Sequence, residues 1–238
     1  NLDLHTGRTN AIWAFILGLA SLNILCFIYS GFVITFRRTR TKIKNKIKAK
    51  DAEIVLLVGS ENGTTLFFAN QIHRQLLSEG KRSYLAEMNQ FQSFESAKEM
   101  VIFTSTYGLG DPPSNANQFE NLLQKFPQQN KIGYSVVGFG SKSYQEFCAF
   151  AVKVNDLLAK QNWAEPTTSI FTINDRSADE FATWAHVWSE KTLHPLATAP
   201  AVYNTKIPGL KKFIVTEKTM VSDENFTFKI VLKPRDRK

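Results

Sequence analysis

Beyond Lys50, near-continuous apolar runs alternate with amphipathic segments, and this alternation constrains the fold more than any other feature of the chain. Runs such as EIVLLVG and MVIFTS lack the polar residue at every second position that a half-exposed strand needs. They suit strands buried on both faces, as in a parallel sheet covered by helices. Strands are expected over residues 53–59, 83–87, 100–105, 132–138 and 168–173. Helices are expected over 65–79, 115–126, 147–160 and 178–192, with a short one over 92–98. The expected class is α/β, a doubly wound parallel five-stranded sheet. In such sheets ligands sit beyond the carboxyl ends of the strands, where the strand order reverses. The loops after the first, third and fourth strands are therefore the candidates for chemistry.

The first of these loops is Gly59-Ser60-Glu61-Asn62-Gly63-Thr64-Thr65, leading straight into a helix. Hydroxyls, an amide and backbone N–H groups at a helix N-terminus suit a phosphate, although a plain helix cap reads the same way. The loop has no lysine and no GxxxxGK[ST], which argues against a P-loop nucleotide site. The second loop is Ser105-Thr106-Tyr107-Gly108-Leu109-Gly110-Asp111-Pro112-Pro113. The third is Gly138-Phe139-Gly140-Ser141-Lys142-Ser143-Tyr144-Gln145-Glu146-Phe147-Cys148. Each of these two sets a tyrosine among glycines, where backbone and ring can approach a flat ligand. A phosphate cradle joined to two glycine-bounded aromatics describes a site for a planar, phosphorylated cofactor.

GSENGTT, STYGLGDP and VVGFGSKSYQEFC, in this order and spacing, closely resemble the flavodoxin-like domain of diflavin reductases, such as NADPH–cytochrome reductases and the sulfite reductase flavoprotein. The resemblance covers about residues 53–195. It implies a flavodoxin-like fold and FMN as cofactor, with Ser60, Glu61, Asn62, Gly63, Thr64 and Thr65 at the phosphate. It implies ring and backbone contacts from Ser105, Thr106, Tyr107 and Gly108. The other flavin face falls to Phe139, Gly140, Ser141, Lys142, Ser143, Tyr144, Gln145, Glu146, Phe147 and Cys148, with Tyr144 as the stacking ring. Asp175, in Asn174-Asp175-Arg176, is the acidic candidate near the flavin. Two departures stand out. Glu61-Asn62 replaces the usual Gln-Thr, so Glu61 must turn away from the phosphate, and Cys148 stands where an Asn is common. No side chain is needed as acid, base or nucleophile, and no metal site is expected. His73, His186 and His194 read as surface or core residues.

Residues 11–36 carry no charge over 26 positions, enough for a helix to cross a hydrocarbon core of about 30 Å. Arg37, Arg38, Arg40, Lys42, Lys44, Lys46, Lys48 and Lys50 follow the run, and Arg8 alone precedes it. The positive-inside rule then puts residues 1–10 outside and the body in the cytoplasm of a bacterial-type inner membrane, with residues 37–52 a basic linker that can rest on anionic lipid. Asn23 within the span is expected to face another helix. Leu4-His5-Thr6-Gly7, the span, Gly31-Phe32 and Arg37-Arg38 resemble the last helix of PepSY-associated membrane proteins. That resemblance makes His5 a candidate haem ligand, with plain solvation the alternative.

The net charge of +8 is concentrated outside the body: residues 51–205 carry 11 basic and 16 acidic side chains, which argues against a nucleic-acid partner. Cys26 and Cys148 form no disulfide framework. Residues 211–215 and 226–233 read as strands, and FIVTEK…ENFTFKIVLKPR in residues 196–238 resembles the opening of the FAD-binding barrel of the same reductases. Both ends read as cuts in a longer chain, whose further part is expected to hold the FAD and NADPH sites and to be the partner domain. The implied role is an electron relay from NADPH through FAD and FMN to a membrane or periplasmic acceptor such as haem or ferric siderophore iron. The alternatives are a sulfite reductase-like protein with a soluble acceptor and a non-catalytic redox sensor or scaffold.

Overall fold

A computed structural model describes residues 10–40, 43, 45–204, 213–222 and 227–234. His5, Arg8 and the rest of the 4–7 motif lie outside the described residues.

Helix α1 spans Ala11–Arg40. It starts where Asn10 Oδ1 accepts the Trp13 N–H at 2.7 Å, a side-chain cap that halts the helix at the polar flank. Its stretch Ala11–Val33 is long and apolar enough to cross a membrane, by length and composition. The Ser21 and Ser30 hydroxyls donate back to the carbonyls of Leu17 and Phe27, at 2.9 Å each, so neither needs water.

The body is a parallel sheet of five positions. Its strands are β1 (Ile54–Gly59), β2 (Ser83–Glu87), β3 (Glu99–Ser105), β4 (Ile132–Gly140), β5 (Ala164–Pro166) and β6 (Phe171–Asn174). The order is β2-β1-β3-β4, with β5 and β6 sharing the last position along β4. Helices α2 (Thr64–Ser78), α3 (Phe119–Lys125), α4 (Ala149–Ala159) and α5 (Ala178–Thr192) cover the two faces. On α2 the buried residues are Thr65, Phe68, Ala69, Ile72, His73 and Leu76, a stripe of helical spacing facing the sheet. One core layer includes Phe91, Phe119, Val136 and Val154, and the other Phe68, Phe103, Phe181 and Trp184. β1 is buried throughout, as its apolar run requires.

Two expectations need correction. The single strand over 168–173 is two short segments. Pro166 offers no N–H, and between the segments the Thr167 N–H donates to the Tyr134 carbonyl at 2.8 Å while the Thr168 hydroxyl meets Ser135 Oγ at 3.0 Å. The helix over 92–98 is absent. Its inward residues Phe91, Phe94 and Ala97 are buried, but side-chain amides take the backbone groups that a helix would use. Gln128 Oε1 accepts the Phe94 N–H at 2.8 Å, Gln128 Nε2 donates to the Gln92 carbonyl, and Asn130 Nδ2 donates to that of Glu95.

The packed body also reaches beyond residues 53–195. Ile43 packs on one core layer and Ile47 and Ala49 on the other. At the far end Tyr203 is fully buried, with its hydroxyl donating to the Ala197 carbonyl at 2.6 Å. Farther on, β7 (Phe213–Ser222) and β8 (Thr227–Pro234) pair as an antiparallel hairpin with two register shifts.

Candidate functional site

The chain leaves β1, β3 and β4 at one level, because Gly59 is paired with Thr104 and Ser105 with Phe139. A Cβ at Gly59 would collide with Thr104 Oγ1 and Met88 Sδ, so only glycine fits the exit of β1. Cross-bonds join the three loops. The Ser60 N–H donates to Asn115 Oδ1 at 2.8 Å, the Thr106 N–H to the Phe139 carbonyl at 3.4 Å, and the Phe150 N–H to Thr106 Oγ1 at 3.1 Å.

Helix α2 begins at Gly63, whose φ of 72° lies in the left-handed region. No side chain caps this start, and no acidic residue stands in the first turn. The first-turn N–H groups therefore face outward without a partner from the helix itself. The hydroxyls of Ser60 and Thr65 are buried and have no hydrogen-bond partner. An unpaired buried hydroxyl costs about 1–3 kcal/mol, so two beside one open helix end call for an acceptor-rich group. Asn62 and Gly63 are exposed and Thr64 is half-buried. The Glu61 carboxylate turns aside to accept the Ser114 N–H at 2.8 Å.

In the second loop, Tyr107 and Asp111 exchange both backbone hydrogen bonds, at 2.9 and 2.8 Å. This closes a tight turn through Gly108 and Gly110, with φ of 54° and 108°. The Tyr107 ring is left 57% exposed. In the third loop Lys142, Ser143, Tyr144, Gln145 and Glu146 are exposed, with Tyr144 at 72%. The Tyr144 N–H donates to the Ser141 carbonyl at 3.0 Å, and the Lys142 ammonium stands 5.8 Å from the Phe147 ring centre.

Two residues expected at the site sit beneath it. The Phe139 ring is core, 5.1 Å from the ring of Phe68. Cys148 is fully buried at the left-handed start of α4, and a Cβ at Gly138 or Gly140 would press on it. Burial pushes its thiol up to about 11, so it stays a neutral packing group. Asp175 is exposed, with its N–H donating to the Gly140 carbonyl at 2.8 Å. Asp175 and Arg176 are consecutive left-handed non-glycine residues, a conformation seen mostly at ligand clamps and tight turns.

Asn115 and Asn174 were not foreseen. Asn115 holds the Ser60 amide, and Asn174 Oδ1 accepts the Lys142 N–H at 2.8 Å. The one sequence signal for either is position: each polar amide follows a candidate loop or precedes Asp175. No group of metal-ligating side chains occurs among the described residues. The arrangement is an uncharged cradle for an anionic group, with two exposed tyrosine rings on neighbouring loops.

The family model described as Flavodoxin matches residues 56–188, more than half of the chain. Over 125 residues the chain is 31% identical to the inducible nitric oxide synthase of Carassius auratus, covering 51% of this chain and 75% of that one. It is 30% identical over 121 residues to the NADPH–cytochrome P450 reductase of Rattus norvegicus, covering 48% of this chain and 18% of that one. It is 31% identical over 104 residues to the sulfite reductase [NADPH] flavoprotein alpha-component of Bacillus subtilis, covering 42% and 17%. The match thus spans less than a fifth of either reductase. Among solved structures, oxidised Flavodoxin 2 from Bacillus cereus superposes with a TM-score of 0.52 at 22% identity, covering 59% of this chain and 99% of that one.

Proposed function

This chain belongs to the flavodoxin family, and from that premise we propose that it binds FMN at the three loops and serves as an electron-transfer module. The observation that carries the reading is the pair of unpartnered buried hydroxyls, Ser60 and Thr65, at the uncapped start of α2. With the first-turn amides they would hold the phosphate, and Asn62 and Thr64 would flank it. Tyr107 and Tyr144 would cover the ring, with Ser105, Thr106 and Gly108 along its edge. FMN, when bound, supplies the one- and two-electron chemistry. The protein's own residues bind and orient it, and Glu61, held by Ser114, keeps its charge off the phosphate.

The wider reading is a membrane-anchored module of an NADPH-dependent diflavin reductase. Residues 11–36 would cross the membrane, the body would be cytoplasmic, and the hairpin of residues 213–234 would open a FAD-binding barrel. Electrons would then pass to a membrane acceptor such as haem. Support comes from the cationic flank after α1 and from the relatives whose names are NADPH reductases. Titrating the full chain in detergent with FMN tests the core of the proposal. The expected result is a one-to-one yellow complex, with FAD bound more weakly. A folded chain that takes up no FMN refutes it.

A further inference from the structure

Between α1 and the sheet, residues 43 and 45–52 are docked on the body. Ile43, Asn45, Ile47 and Ala49 are half-buried, while the intervening Lys46, Lys48 and Lys50 are exposed. This period-two pattern comes from apolar residues packing on both core layers around the free edge of β2. Asn45 fixes the register: its Oδ1 accepts the Leu85 N–H at 2.9 Å and its Nδ2 donates to the Leu85 carbonyl at 2.8 Å. One side chain thus imitates a neighbouring strand and closes an edge that would otherwise invite pairing. Eight residues on, the Glu53 N–H donates to the Arg82 carbonyl at 2.9 Å, so by then the chain has crossed to the inner edge of β2, where β1 pairs with it in parallel.

The tether to α1 is short. That helix runs seven residues past Val33, about 10 Å, which carries its end through a headgroup layer of roughly 5–8 Å. From Arg40 to the docked Ile43 the chain reaches no more than about 10 Å. The strap therefore begins at the headgroup surface. Of the nearby acids, Asp51 is exposed, Glu87 is exposed at the far end of β2, and Glu53 is engaged by Arg82 at 3.2 Å and Lys98 at 3.1 Å, which hold its carboxyl below the usual range.

We infer that the strap presents Lys46, Lys48 and Lys50 as one cationic edge to the anionic headgroups of the leaflet that α1 enters, so that the body lies on its β2 edge. This rests on α1 spanning the membrane, and not on FMN binding. Strand spacing is about 4.8 Å, so the exits of β1, β3 and β4 then stand about 5–15 Å above that edge. The three site loops open along the membrane plane, close to it.

Amide hydrogen exchange of the full chain in nanodiscs tests this. One set of discs is phosphatidylcholine alone and the other a phosphatidylcholine–phosphatidylserine mixture. Exchange over residues 43–52 is expected to slow on the order of tenfold or more in the anionic discs, with residues 160–166 on the opposite edge unchanged. About 1 M salt, with a screening length of about 3 Å, should abolish the difference. So should the triple variant K46Q/K48Q/K50Q. Asn45→Ala should free the Leu85 amide in both lipids and remove the lipid dependence with it. Equal exchange in both lipids, or slowing that survives in the triple variant, overturns the inference. So does lipid dependence that persists in Asn45→Ala once Leu85 is free. A chain that enters neither disc overturns it together with the membrane-span reading, whereas one that enters the discs but binds no FMN leaves it standing.

Discussion

Helices α2 and α5 both start at the carboxyl end of the same parallel sheet, yet their first turns are built in opposite ways. At α5, Ser177 Oγ accepts the Glu180 N–H at 3.2 Å, and the Glu180 carboxylate reaches back to accept the Asn174 N–H at 2.6 Å. Asp179 and Glu180 add negative charge at the positive end of the helix. At α2 the cap is a left-handed glycine, the first turn has no acid, and the two hydroxyls within reach are buried without partners. A side-chain cap is worth about 1 kcal/mol, and a well-placed charge about 0.3–1 kcal/mol. α5 draws this stabilisation from its own residues, and α2 does not. The same fold therefore carries one helix end that closes itself and one left open, where the proposed FMN phosphate would sit.

The largest effect should come from giving α2 the closure that α5 has. Gly63→Asp places a carboxylate at the cap; open space surrounds a Cβ there, and Asp tolerates the left-handed backbone better than most residues. The capping gain over glycine is only a few tenths of a kcal/mol and the left-handed strain about 1 kcal/mol, so the variant should lose a little under about 1 kcal/mol of stability. FMN affinity should fall on the order of a hundredfold or more, because charge-assisted bonds worth about 1.5–3 kcal/mol each are lost and like charge is added. Fluorescence titration beside a urea melt reads both quantities. An unchanged affinity would place the phosphate elsewhere.

Removing the hydroxyls should act with opposite signs in the two states. Ser60→Ala or Thr65→Val deletes an unpaired buried group, so the FMN-free protein should gain about 1 kcal/mol while FMN affinity drops roughly tenfold. Ser177→Ala is the mirror case: a loss of about 1 kcal/mol in stability and no change in FMN affinity. If all three variants behave alike, the contrast between the two helix ends is wrong. A smaller effect is expected at the ring. Tyr144→Ala should weaken FMN by about 0.5–1.5 kcal/mol, read in the same titration, since the exposed tyrosine contributes stacking and anchors nothing else.

These helix ends also show what was legible in the sequence. β1 to β4 fell within two residues of expectation because unbroken apolar runs leave little choice in a doubly covered sheet. The turn through Gly108 and Gly110 is readable for a similar reason, since glycine at positive φ leaves a signature in sequence. Residues 92–98 were misread because a buried amide far along the chain, Gln128, competes for their backbone, and periodicity carries no trace of it. That the Phe139 and Cys148 side chains are buried is not legible in the motif, which gives order along the chain, whereas packing decides which side chains look outward. The docked strap escaped notice for yet another reason. Alternating lysines read as a basic linker that can rest on anionic lipid, and nothing in them shows that Asn45 pairs with Leu85.

The smallest expected effect concerns the histidines of the two helices. On α5, His186 is exposed, 3.4 Å from Glu190. On α2, His73 is buried: its Nδ1 lies 2.9 Å from Ser83 Oγ, and its Nε2 has no partner. Burial lowers its pKa, because no group nearby compensates the cost of charging the ring. The unfolded chain binds that proton near pH 6.5 and the folded one only at lower pH. Stability is therefore fully present above about pH 6.5 and is lost as pH falls from there towards the folded value, with a slope of at most about 1.4 kcal/mol per pH unit. His194, lowered by burial and then by Lys81, acts in the same direction. Glu99, raised by burial, acts in the opposite one, its contribution being lost as pH rises through its folded value. Comparing the parent with His73→Gln, which keeps a neutral polar group beside Ser83, isolates the one residue. Urea midpoints followed by the fluorescence of the buried Trp163, Trp184 and Trp188 should fall between pH 7 and 5.5 in the parent and fall less in the variant. Equal slopes would mean that α2 opens far enough to solvate His73 before the sheet unfolds, and that its open end is matched by a loose helix rather than by a ligand site on a firm one.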